Sequence, residues 1–158
     1  MCSAQPKIVF FPMALSVAWT GKQASTSQLV RKMNEFRDRD TKVYREIYSR
    51  IGYVVEDLVD AIKGNDKENI ISLLNENHKI LSELSRKSKV RIQTAELQRL
   101  HRLAHRYGAG KLSGAGGGDC GIGISDRKDS EKIRKAWKAN GLHVIDVDIE
   151  EEGVKRHA

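Results

Sequence analysis

Eight of the thirteen glycines in this 158-residue chain fall between Gly108 and Gly123. Their centre reads Lys111-Leu112-Ser113-Gly114-Ala115-Gly116-Gly117-Gly118-Asp119-Cys120-Gly121. Glycines accept positive φ and let successive N–H groups converge on one point, forming a concave nest for phosphate or carboxylate oxygens. The alternative is a flexible hinge. Hinges mix glycine with serine and polar residues, whereas this segment is flanked by apolar strand-like residues, one acid and one thiol. Two phosphate-binding templates fail here. A P-loop would need glycine at position 105, where His105 stands, and Ser or Thr at position 112, where Leu112 stands. Gly116, Gly118 and Gly121 match G-x-G-x-x-G, but that fingerprint must open a helix, and Ile122-Gly123-Ile124 continues as a strand.

Other reactive side chains carry less. Cys120 reads as a small half-buried residue beside a tight loop, since a reactive thiolate needs an exposed, electropositive setting. His101 and His105 sit i, i+4 on one expected helix, but a zinc site needs a third ligand, and Arg102 stands where a zincin has glutamate. No metal site is expected. Tyr44, Arg45 and Tyr48 offer a surface for another helix without demanding one.

The elements that would hold the loop are read from hydrophobic spacing. Met13, Leu15, Val17 and Trp19 alternate with Ala14, Ser16 and Ala18, a strand with one bulky and one small face. A polar loop, Lys22 to Thr26, precedes a helix carrying Leu29, Val30, Met33 and Phe36. Ile47, Ile51, Val54, Val55, Leu58 and Ile62 stripe a second helix that Gly64 closes. Asp66 caps a third with Ile70, Leu73, Leu74, Leu81 and Leu84 on one face. Thr94 begins a fourth through Leu97, Leu100, Ala104 and Tyr107, with Gly108 beyond its end. Gly121 to Ser125 reads as a strand that Lys111, at the start of another, precedes. Ser130 starts a last helix through Ile133 and Trp137, stopping at Asn140-Gly141. Ile145, Val147 and Ile149 form a final strand. Strands at both ends of a helical middle predict an α+β domain, a mainly antiparallel sheet with helices packed on one face. The expected organisation is a leader over residues 1–7, one domain over 8–150 and a charged tail over 151–158.

Composition bounds the class. With 39% hydrophobic and 31% charged residues the chain supports a packed core, and two cysteines are too few for a disulfide framework. The longest apolar run, Ile8 to Leu15, is broken by Pro12 and far too short to span a membrane. A reduced, cytoplasmic chain with no membrane partner is the expectation. The formal net charge is +7, yet acids are interleaved almost everywhere, as in Arg37-Asp38-Arg39-Asp40. Only Arg86 to Arg91 (RKSKVR) is a dense basic patch. That interleaving argues against nucleic acid as partner; a small phosphorylated substrate uses the same excess charge.

With these residues in place, the chain resembles the GHMP kinase superfamily, and within it the phosphomevalonate kinases. Lys111 to Gly118 (KLSGAGGG) is similar to the superfamily's glycine-rich third motif. Asp119-Cys120-Gly121-Ile122, directly after the glycines, is similar to the phosphomevalonate kinase version in particular. Far upstream, Phe11-Pro12, Ala18-Trp19-Thr20-Gly21, Ala24-Ser25-Thr26 and Leu29-Val30 resemble the family's strand–loop–helix, and Trp137 fits in the last helix. Two departures stand in the first loop: Gln23 where the family has proline, and Ala18 where it has glycine. The family's N-terminal Pro-x-x-x-Gly-Leu-Gly-Ser-Ser loop, which holds the ATP phosphates, does not occur in these residues. The resemblance is therefore to the C-terminal half of such a kinase.

What the resemblance implies is a GHMP kinase C-terminal domain in an enzyme that moves the γ-phosphoryl of Mg-ATP to 5-phosphomevalonate. Ser113, Gly114 and Ala115 would touch the acceptor or the transferred group, Gly116, Gly117 and Gly118 would allow close approach, and Ser25 and Thr26 would reach the same substrate. Helix capping is the other role open to Ser25 and Thr26. Lys111 would add charge and Asp119 would brace the loop; no catalytic base is assigned. ATP and Mg2+ belong to the intact enzyme and neither is assigned to this chain alone. The expected partners are 5-phosphomevalonate, ATP and an N-terminal kinase half, or a second copy through exposed apolar surface. The chain alone is expected to be inactive. The competing readings are a metabolite-binding or regulatory remnant, a subunit of a split kinase and, from charge alone, a basic nucleic-acid-binding domain.

Overall fold

The computed structural model of the chain describes residues 13–147. The expected leader, Phe11-Pro12, Ile149 and the charged tail lie outside the described residues.

The order is β1 (Ala14–Trp19), α1 (Thr26–Arg39), α2 (Thr41–Lys63), α3 (Lys67–Ser88), α4 (Ala95–Ala104), β2 (Gly108–Leu112), β3 (Cys120–Ser125), α5 (Arg127–Ala139) and β4 (His143–Ile145). The strands make one antiparallel sheet in the order β2-β3-β1-β4. Three helices begin where a side chain satisfies an otherwise orphaned N–H. Asp40 accepts from Val43 at 3.2 Å, Asp66 from Asn69 at 3.1 Å and Thr94 from Leu97 at 3.2 Å. Each such cap is worth about 1 kcal/mol.

The sheet's two faces differ as the alternation in β1 predicts. Ala18 pairs with Gly121, Ser16 with Gly123, and Gly110 with Gly123, which puts these small residues on one side. There α4 and α5 settle almost onto the strand backbone. A Cβ at Gly110 would lie 2.7 Å from Ala104 Cβ, one at Gly121 2.6 Å from Leu100, and one at Gly123 2.8 Å from Trp137. Trp137 is fully buried, and its indole N–H donates to the Leu100 carbonyl at 3.0 Å. Ala18, Leu100, Ala104, Ile133, Trp137 and Leu142 form the resulting core.

Helix α3 lies along the edge strand β2, where the Asn75 amide donates to the Gly108 carbonyl at 3.4 Å. With the end of α2 it buries Met13, Ala109 and Ile124 beside Ala61, Ile70 and Leu74. A third cluster of Phe36, Ile47, Ile80, Leu84, Val90 and Ile92 joins α1, α2 and α3. The other end of the bulky sheet face stays open among the described residues. Trp19 and Ile145 are each 39% exposed there, and Val17 and Ile122, paired across the ladder, are half-buried.

Several boundaries move from their expected places. Gly108 opens β2 instead of trailing α4, which ends at Ala104, and Lys111 is fourth of five residues in β2 instead of its start. Helix α5 begins at Arg127, three residues before Ser130, whose hydroxyl donates back to the Arg127 carbonyl. Gly64 ends α2 in the right-handed region, and Asn65 takes the positive φ. Val55, placed on the α2 stripe by spacing, is exposed, as is Val30 on α1. β4 stops at Ile145 and leaves Val147 exposed.

Candidate functional site

The glycine loop is the tip of the β2–β3 hairpin. Leu112 pairs with Gly121, and the Ser113 N–H donates to the Cys120 carbonyl at 3.0 Å, so Gly114 to Asp119 project beyond the ladder. Gly114, Gly116, Gly117 and Gly118 all have positive φ, at 75°, 79°, 80° and 149°. Asp119 joins them at 50°, a conformation that aspartate tolerates better than most residues.

The loop divides into an open half and a seated half. Ser113, Gly114 and Ala115 are exposed, and nothing lies within 4 Å of where a Gly114 Cβ would be. Among the described residues no acceptor takes the N–H groups of Gly114, Ala115 or Gly116. The remaining glycines approach the protein itself. The Gly117 N–H donates to the Ile92 carbonyl at 2.8 Å, and a Cβ on Gly116 would lie 2.4 Å from that same oxygen. A Cβ on Gly118 would sit 2.8 Å from the Lys22 carbonyl, and one on Gly117 2.9 Å from Leu29. Gly116, Gly117 and Gly118 thus let Ile92, Leu29 and Lys22 come close, because the loop lies flat against the 89–93 segment and the first loop.

Asp119 ties the two loops together. Its N–H donates to the Lys22 carbonyl at 2.7 Å, its carbonyl accepts from Thr20 N–H at 2.8 Å, and its carboxylate accepts from Ala24 N–H at 3.2 Å. This brings the N-terminus of α1 beside the hairpin tip. Ser25 is the N-cap of α1 but makes no capping bond; its hydroxyl lies 3.3 Å from that of Ser27. Ser25 and Thr26 are both exposed. The start of α1 therefore adds partly positive, uncapped N–H groups next to the nest.

Beside the open half lies an apolar crevice of about 250 Å³, with Leu29, Met33, Tyr48, Leu84 and Ile92 among its walls and Gly114 and Ala115 at its edge. Tyr48 stacks on Tyr44 at 4.1 Å, and burial pushes its phenol up to about 12, so it stays protonated. Anion-seeking backbone donors and an apolar crevice thus adjoin.

The supporting charges are largely spoken for. Lys22 pairs with Glu96 at 2.6 Å, and that contact holds the Glu96 carboxyl down at about 2. Lys111 is half-buried, its ammonium donating to the Leu112 carbonyl at 3.1 Å, and desolvation lowers its pKa. It faces away from α4, opposite Ile122 in the ladder. Cys120 is a free thiol whose pKa is raised by burial and by Asp119, the reverse of an activated nucleophile.

The sequence reading missed a buried polar knot behind the hairpin. His101 lies with Nδ1 2.6 Å from the Gly110 carbonyl, which makes that nitrogen the protonated one, and its ring stacks on His78 at 3.4 Å. His78 is buried and contacts the Gln93 amide at 3.3 Å; desolvation, then His101, lowers its pKa to about 4. Its position on the apolar stripe of α3, one turn from Leu74 and Leu81, was the available signal. Among the described residues no three His, Cys, Asp or Glu side chains group to hold a metal ion, and no helix is long and apolar enough to cross a membrane.

Comparison with known proteins gives this arrangement its context. Residues 58–143 match the family model "GHMP kinases C terminal". A phosphomevalonate kinase from Streptomyces is 29% identical over 146 residues, covering 90% of this chain and 39% of that protein. A mevalonate kinase from Pyrococcus furiosus is 31% identical over 151 residues, covering 92% of this chain and 44% of that protein. The chain thus spans about two fifths of the length of the curated relatives it matches. Among solved structures, the Lin0012 protein from Listeria innocua superposes with a TM-score of 0.81 at 35% identity, over 85% of this chain and 38% of that one. The phosphomevalonate kinase of Streptococcus pneumoniae superposes at 0.66 with 27% identity, over 84% and 39%. The family match covers more than half of the chain, includes the whole glycine hairpin and agrees with the fold: this chain belongs to the GHMP kinase C-terminal domain family.

Proposed function

We propose that this chain forms the acceptor-side wall of a mevalonate-pathway kinase. In the reaction proposed, an oxygen on the acceptor attacks the γ-phosphorus of Mg-ATP, the bond to ADP breaks, and the phosphoryl group is transferred. Such transfers depend on positioning and charge neutralisation more than on covalent chemistry. The observation that carries the reading is the adjacency of the open half of the loop, Ser113 to Ala115, to the apolar crevice that Gly114 and Ala115 help to line. That pairing suits a short aliphatic acid or phosphate, whose charged end meets N–H groups and whose carbon skeleton meets Leu29 and Met33. The described residues offer no carboxylate cluster for magnesium. No step through the metal or nucleotide is therefore assigned to them; in this reading both belong to a separate nucleotide-binding half. The open sheet face around Val17, Trp19, Ile122 and Ile145 is the surface we assign to that half.

The specific acceptor we favour is 5-phosphomevalonate, on the likeness of Asp119-Cys120-Gly121 to the phosphomevalonate kinases. Mevalonate is the second reading, and six of the eight curated relatives, all mevalonate kinases, favour it. Titrating the chain with each compound while following the amide signals of Gly114 to Gly116 separates the two. Saturable shifts with 5-phosphomevalonate and not with mevalonate support the first; the reverse supports the second. Shifts with neither would sink the acceptor-wall reading. Coupled ADP release with Mg-ATP, alone and with a supplied nucleotide-binding half, tests the activity itself, and turnover only in the mixture is the expected result.

A further inference from the structure

A second anion-seeking corner lies on the other side of the 89–93 segment. The end of α3, the segment after it and Gln98 of α4 border an open, shallow cleft of about 360 Å³, lined by Ser82, Ser85, Arg86, Lys89, Arg91, Gln93 and Gln98. No carboxylate lines it, and among the described residues none of its three cations is in an ion pair. Three unpaired cations along one lining raise the local positive potential and favour an anion there. The backbone that carries them is fixed in advance. Ser88 Oγ donates to the Leu84 carbonyl at 2.6 Å and accepts from Val90 N–H at 3.1 Å, while Ser85 Oγ donates to the Val90 carbonyl at 2.8 Å. Lys89 itself has φ of 60°, where glycine would be easier. Gln93, only 5% exposed, keeps its amide on His78 at 3.3 Å and so forms a fixed inner wall of the cleft.

We propose that this cleft binds a compact multivalent phosphate, the diphosphate group of a small molecule. Two guanidinium groups and an ammonium supply the charged donors that two linked phosphates call for, and the Gln98 amide adds a neutral one. The site is distinct from the acceptor nest but shares a strut with it. Arg91 and Gln93 flank Ile92, whose carbonyl holds the Gly117 N–H of the glycine loop. Diphosphate in the cleft therefore stiffens the segment on which the loop rests.

The test is calorimetric titration of the chain with inorganic diphosphate at 0.15 M salt, repeated with ADP. The expected result is saturable binding of both. Arg86→Ala and Arg91→Ala, at exposed positions, should each weaken affinity about tenfold. Lys89→Gly is the discriminating variant: it weakens diphosphate binding while leaving the melting temperature unchanged or higher, because it relieves a positive φ. Ser113→Ala should leave this binding intact. No saturable binding, or binding indifferent to all three cleft substitutions, overturns the proposal. Loss on Ser113→Ala with the cleft variants unaffected would place the anion in the nest instead. Displacement of diphosphate by a single-stranded oligonucleotide that binds more tightly would make the patch a nucleic-acid surface and also overturn it.

Discussion

Gly114 and Gly116 stand two residues apart in one loop, with nearly equal φ, yet they live in different environments. Around Gly114 a side chain would meet nothing within 4 Å, whereas at Gly116 its first atom would overlap the Ile92 carbonyl. The same residue type thus serves two purposes. At the leading edge it leaves backbone donors open; at the trailing edge it lets the protein's own backbone come close enough to hold the loop still. A nest is useful only if it is rigid, and rigidity here comes from the half that no ligand need touch.

This contrast can be broken by substitution. The largest effect should come from Gly116→Val, which adds backbone overlap to a strained φ and should cost about 3 kcal/mol or more, among the largest single-site losses. Chemical denaturation measures it, and a loss under about 1 kcal/mol, the size of an ordinary substitution, would show that the loop is not seated on Ile92. Gly114→Ala carries only the left-handed penalty of about 1–2 kcal/mol, and its measured cost must be the smaller of the two for the division to stand. Ser113→Ala should change stability by less than about 0.5 kcal/mol. Removing its hydroxyl should nevertheless weaken the acceptor about tenfold, as expected for a hydrogen bond to a charged group. Equal acceptor affinity for wild type and variant would confine the site to backbone donors.

The histidine knot sharpens the picture from the protein's interior. His78 and His101 both have lowered pKa values from burial, so the folded state favours their neutral forms while the unfolded chain takes up protons near pH 6.5. Stability is therefore full above about pH 6.5 and falls as pH drops toward 4, where His78 itself titrates. His105, Arg102 and Lys111, the neighbouring cationic or titratable groups, act in the same direction. His78→Gln should flatten the melting-temperature profile between pH 4 and 6.5; an unchanged slope would assign that slope to other groups.

Helices α2 and α3 and strand β1 were legible in the sequence because their apolar spacing is long, and Asp66 announces the start of α3. The start of β2 was hidden because Gly108 and Gly110 have no side chains with which to show alternation. Their reason for being glycine, the packing of Ala104 and His101 at 3.1 Å or less from a Cβ at Gly110, is a tertiary fact. The glycine loop was legible as a candidate site for the opposite reason, since its composition is extreme. Which glycines face a ligand was not legible. That depends on Lys22, about a hundred residues upstream, and on Ile92, which no local pattern joins to Gly117. His78 escaped notice because a lone histidine in an apolar stripe reads as filler until its partner, His101, is folded onto it.

The two tryptophans give the chain a pair of optical reporters with separate territories. Trp137, sealed behind Gly123 and hydrogen-bonded to Leu100, should emit at short wavelength and resist quenching by iodide for as long as α5 stays docked. Trp19, at the edge of the open sheet face with its ring 5.4 Å from that of His143, should emit to the red and be quenched readily. A partner arriving on that face would shift the second signal and leave the first untouched, so assembly and unfolding can be told apart in one cuvette.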